Sequence, residues 1–111
     1  MTDLIAKIRH YEALLKEVVK ASEKYLGISS VKLLIERVIW DVSQEYKEIE
    51  LIHYDEGELF VDGLAKALEN QPDFPIDEMF KRLFSRYVEV MAKLIGKEQA
   101  QKIAEQLSKE V

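Results

Sequence analysis

A mainly α fold is predicted: a helical bundle of four main helices plus a short helical segment, with a small β-hairpin at about 49–61. Three observations predict it. Apolar residues recur at three-and-four spacing over most of the 111 residues, which gathers them on one face of a helix. That periodicity lapses in KEIELIHYDEGELFVDG, where β-branched and aromatic residues flank a turn sequence. The composition, 48% hydrophobic and 33% charged, is that of a chain able to bury a core, and the length suits a single helix-rich domain over 1–111.

The first helix is predicted from Asp3 to Leu26, because Leu4, Ile5, Ile8, Tyr11, Leu15, Val18, Val19 and Leu26 form one stripe. Thr2 or Asp3 is its candidate cap, and Gly27 supplies the permissive residue beyond its end. Ser29 or Ser30 is then placed to cap a second helix, with the stripe Val31, Leu34, Ile35, Val38, Ile39 and Val42, reaching Tyr46. Leu33 and Trp40 point almost opposite that stripe at 100° per residue. This helix is therefore apolar on two sides, and either the 62–70 helix or the C-terminal helix covers the second side, or another chain does.

Residues 49–61 read as a hairpin, with Ile49, Leu51 and His53 alternating against Glu50, Ile52 and Tyr54, and with Gly57 free to take positive φ in the turn. A lone two-stranded ribbon is marginal in water, so it must lie on the helices or pair with another copy. A short helix, LAKALEN, follows Asp62 and Gly63 and ends at QPDFP. Pro75 opens the next helix, whose stripe Ile76, Met79, Phe80, Leu83, Phe84, Tyr87, Val88, Met91, Leu94 and Ile95 calls for packing along its whole length. After Gly96 a last helix turns Ala100, Ile103, Ala104 and Leu107 inward as a lid.

Sixteen basic against twenty-one acidic residues give a net charge of -5, with the lysines dispersed among glutamates. Nucleic-acid binding, which rests on a basic stripe, is not expected. The charged N-terminal stretch MTDLIAKIRHYEALLKE is neither a signal peptide nor a membrane span, and no membrane contact is expected. The chain has no cysteine, so it carries no thiolate site or disulfide, and a cytoplasmic location is expected.

Four constellations bear on chemistry. Glu50-Leu51-Ile52-His53 has the Glu-x-x-His spacing of carboxylate-bridged metal centres in bundles. One copy is too few, but a homodimer would double it, with Glu12 as the acid inside the apolar arc of the first helix; in the hairpin reading Glu50 and His53 fall on opposite faces. The acids Asp55, Glu56, Glu58 and Asp62 do not match a calcium loop, because with Asp55 at position one Gly57 falls at position three and not at position six. They read as a solvated, charged strand edge. His10 and His53 read as structural histidines, and the aromatics Tyr11, Phe74, Phe80, Phe84 and Tyr87 as core or as the lining of an apolar pocket.

No residue set is built for catalysis, and no cofactor is expected. The fourth constellation, Leu33 and Trp40 with Arg37 and Gln44 around them, has the composition of an interface anchor. The expected function is therefore a small non-enzymatic interaction or regulatory module, acting as a homodimer or by binding a partner protein. The alternative is a ligand- or metal-binding bundle, or an enzyme, built on Glu50, His53 and the nearby acids.

Overall fold

Gly27, at φ 80° and ψ 164°, interrupts the first helical stretch with a backbone conformation that only glycine adopts without strain. The computed structural model describes residues 2–110, and the side-chain environments of 4–105. Its first element, α1, is Thr2–Ser43 in two arms on either side of Gly27. The two helices expected there are these arms, but the second ends at Ser43, short of Tyr46. Ser29 and Ser30 lie exposed inside the helical run instead of capping it. The capping roles given to Thr2 and Asp3 fall outside the described side chains.

The chain then makes a 3-10 turn, Lys47–Leu51, and a two-stranded antiparallel hairpin, β1 (His53–Asp55) and β2 (Glu58–Phe60). Its register pairs His53 with Phe60, Tyr54 with Leu59 and Asp55 with Glu58. The hairpin is shorter than the predicted 49–61 because Ile49 and Ile52, three apart, are both buried by the tight turn before the strand starts. Glu56 (φ 50°) and Gly57 (φ 84°) form the two-residue connection, and positive φ at both positions is what a type I′ turn requires.

Three further helices follow: α2 (Asp62–Leu68), α3 (Ile76–Ile95) and α4 (Lys97–Glu110). The described residues share one hydrophobic core. Ile8, Tyr11, Leu15, Val18 and Val19 of the first arm meet Ile76, Met79, Phe80, Leu83, Tyr87 and Met91 of α3 there, joined by Val31, Val38 and Val42 of the second arm. Each such side chain contributes about 1.5–3 kcal/mol on burial. Tyr11 stacks on Phe80 with ring centroids 4.6 Å apart, and Phe84 lies 6.3 Å from Tyr11, so these aromatics are packing residues.

The α3 stripe is buried over most of its length, but Leu94 in its last turn is 56% exposed. Ala100 and Ile103 of α4 are buried as expected, while the Leu107 side chain lies outside the described residues. Among the described residues no helix is long and apolar enough to cross a membrane.

Candidate functional site

The second arm of α1 and the hairpin stand side by side, and a groove of about 730 Å³ runs between them. One wall is Lys32, Ile35, Glu36, Ile39 and Trp40, whose spacing of three, four, seven and eight residues puts them on one helical face. The other wall is Glu50, Ile52, His53, Tyr54 and Asp55, with Phe60 of β2 completing the lining. Ile35 and Ile52 are buried at the floor, while Trp40 and Phe60 stand at the rim, 60% and 47% exposed.

The hairpin holds this position because its inner face is pinned to α1. Tyr54 and Leu59 alternate inward, and the Tyr54 hydroxyl donates to the Glu23 carboxylate at 2.6 Å. Burial first, and that hydrogen bond second, push the phenol well above its ordinary value. Outside this anchor the groove is acidic: Glu36, Glu50 and Asp55 face a single ammonium, Lys32, whose Nζ is 3.8 Å from Asp55 Oδ1.

Leu33, Arg37, Trp40 and Gln44 are all exposed, on or just beyond the second arm of α1. The alternative that the 62–70 helix or the C-terminal helix covers Leu33 and Trp40 is overturned, because Leu33 is 69% exposed and Trp40 60%. The physical reason is that α2 packs chiefly on the 3-10 turn and α4 chiefly on α3. Gln44 Nε2 donates to the Trp40 carbonyl at 3.2 Å, and Arg37 Nε to Asp41 at 3.4 Å.

Glu50 and His53 both line the groove, one in the 3-10 turn and one in β1. Their predicted separation onto opposite faces of one strand does not occur, since the strand begins only at His53. Glu12 is elsewhere: half-buried on the first arm, it accepts from Arg9 Nη1 at 3.0 Å and lies 3.6 Å from Lys16 Nζ. Among the described residues no three His, Cys, Asp or Glu side chains come together as a metal would need. Asp62, one of the loop acids, accepts from Arg9 at 3.0 Å, and His10 is exposed.

The residues that sequence reasoning missed are Lys32, Ile35, Glu36, Ile39 and Phe60. Ile35 and Ile39 read correctly as an apolar stripe, but what the stripe faces is a tertiary fact. Phe60 had a signal: with Leu59 inward, strand alternation turns its neighbour out. The chain matches no protein-family model, no curated protein and no solved structure.

Proposed function

We propose that the protein is a small non-enzymatic interaction or regulatory module that works by holding another chain, first of all a second copy of itself, on the Leu33/Trp40 face and the groove beside it. The observation that carries this reading is the double position of Trp40. It belongs both to the exposed stripe with Leu33 and to the rim of the groove, and so joins two surfaces that are left open among the described residues. A large aromatic beside a groove with an aliphatic floor is the composition of a binding hot spot. A cysteine-free composition suits a cytoplasmic setting.

Molar mass in solution, measured by sedimentation for the native chain and for Trp40→Ala, tests the reading. The expected result is a dimer that Trp40→Ala dissociates, with the urea unfolding of the subunit changed by less than about 0.5 kcal/mol, as for an exposed residue. A dimer indifferent to Trp40→Ala would sink this choice of face.

A second reading, a small ligand- or metal-binding protein, is favoured by one observation: Glu50 and His53 share the groove. Elemental analysis of the purified chain decides it. Stoichiometric metal that disappears in Glu50→Gln would favour this reading over the first.

A further inference from the structure

Four consecutive residues, Ile52 to Asp55, line the groove. Alternate side chains of a strand point to opposite faces, so a run of neighbours in one wall means that β1 turns its backbone edge to the groove. In a two-residue hairpin the pair flanking the turn exchanges both ladder hydrogen bonds, and bonded and non-bonded pairs alternate from there. Asp55/Glu58 and His53/Phe60 are then the bonded pairs, and Tyr54, opposite Leu59, directs its N–H and C=O away from β2. Among the described residues no backbone group of another element bonds to either. An open edge of this kind takes up another strand.

We propose that the occupant is a second copy of this chain, joined by antiparallel pairing of β1 with β1 about a two-fold axis at Tyr54 into a four-stranded sheet. The proposal rests on the reading of the groove as a docking surface for a second copy and adds the strand pairing and its register. Charge complementarity selects both. Pairing about Tyr54 sets His53 opposite Asp55 of the second copy, twice, in the non-hydrogen-bonded positions where side chains come closest. The Asp55 carboxylate, already 3.8 Å from Lys32 of its own chain, would then lie between that ammonium and the other copy's imidazole.

Shifting the pairing to the next permitted register in one direction sets His53 against His53, and in the other Asp55 against Asp55. Both neighbouring registers place like groups face to face, which is how a short edge specifies one alignment. The sheet stops at Ile52, whose N–H is already bonded to the Ile49 carbonyl at 3.1 Å. The two-fold axis of an antiparallel pair stands perpendicular to the sheet, so both α1 arms lie on the same side and their Trp40 edges face each other across the axis.

Charge exchange and cross-linking test it in the full chain. Asp55→Lys and His53→Asp should each raise the dimer dissociation constant about tenfold or more, and the double exchange should return it to within about threefold of the native value. Because the chain has no cysteine, His53→Cys with Asp55→Cys should oxidise to a covalent dimer. Neither single cysteine should do so, since like positions stand a diagonal apart, beyond disulfide reach. A chain monomeric at about 1 mM, a dimer insensitive to the exchanges, or efficient cross-linking by either single cysteine overturns the pairing. A dimer broken by Trp40→Ala but indifferent to the exchanges overturns the pairing and keeps the docking face. The opposite pattern keeps the pairing and overturns the Trp40 face.

Discussion

The Tyr87 hydroxyl donates to Ser22 Oγ at 2.8 Å, in the interior where α3 meets the first arm of α1. Ser22 in turn donates to the Val18 carbonyl at 2.7 Å, with the Met91 sulfur 3.2 Å away. Both residues are buried, so the pair is a polar clasp inside an apolar contact. Removing its two halves is not equivalent. Ser22→Ala strands the Tyr87 hydroxyl without its acceptor and should cost about 1–3 kcal/mol, whereas Tyr87→Phe leaves Ser22 bonded to Val18 and should cost about 0.5–1.5 kcal/mol. The double variant should cost less than the two combined, as urea unfolding will show; strict additivity would mean that the two hydroxyls are not coupled.

Alkali should unfold the protein through its tyrosines. Burial pushes Tyr87 up to about 12, and burial with the hydrogen bond to Asp77 does the same for Tyr11; Tyr54 is raised further. A phenol whose folded value exceeds its unfolded value of about 10 contributes stability that is complete below about pH 10 and is lost as the pH climbs through the folded value. The urea midpoint should therefore hold steady up to about pH 10 and fall between about 10 and 12, in step with tyrosinate absorbance. A midpoint level through that window would contradict the raised values.

The hairpin turn leaves room for improvement. Glu56 sits at φ 50°, in the left-handed region that favours glycine and asparagine, next to Gly57 at φ 84°. Glu56→Asn should stabilise the fold by about 0.5–1 kcal/mol, and Gly57→Ala should destabilise it by about 1 kcal/mol or more. The loss would come from backbone strain, because a Cβ at Gly57 would meet Ile28 Cδ1 at an ordinary 3.4 Å. Thermal unfolding of the two variants should shift in opposite directions.

Asp41 ties the second arm of α1 to α3. The hydrogen bond from Arg86 Nε at 2.7 Å holds its carboxyl below the usual range, and Arg37 adds to the effect. A depressed carboxyl contributes stability above its unfolded value, near 4, and loses it as the pH falls through the folded value. Asp41→Asn should lower the urea midpoint near neutrality, and the difference should shrink below about pH 4 and in high salt. A difference that grows on acidification would count against this assignment.

Much of the fold was legible because burial and helical period agree. Ile76, Met79, Phe80, Leu83, Tyr87 and Met91 could lie on no other surface, and they are the buried face of α3. Where two structures share a pattern, the sequence was silent: Ile49 and Ile52 suit a strand, a helix or the tight turn they adopt, and only packing on α1 and α2 chose. The face carrying Leu33 and Trp40 was visible from their angle to the stripe, yet whether α2 or α4 would cover it depended on where those helices dock. The groove itself was not legible, since it joins residues 32–40 to 50–60 through contacts that local spacing does not encode.

The break at Gly27 has a consequence for how copies of this chain could go astray. A straight helix of 42 residues would run about 63 Å, against a longest molecular dimension of 40 Å, so the fold exists only because the chain bends there. Replacing Gly27 with alanine would meet no steric obstacle, as nothing lies within 4 Å of the added methyl, but it would penalise the bent backbone and favour the straight one. The two arms would then separate, and each would recover its lost partners most cheaply from a neighbouring molecule that had opened in the same way. Gly27 is thus the point at which the chain keeps its arms for itself, and its loss is a route to exchange of whole helices between copies.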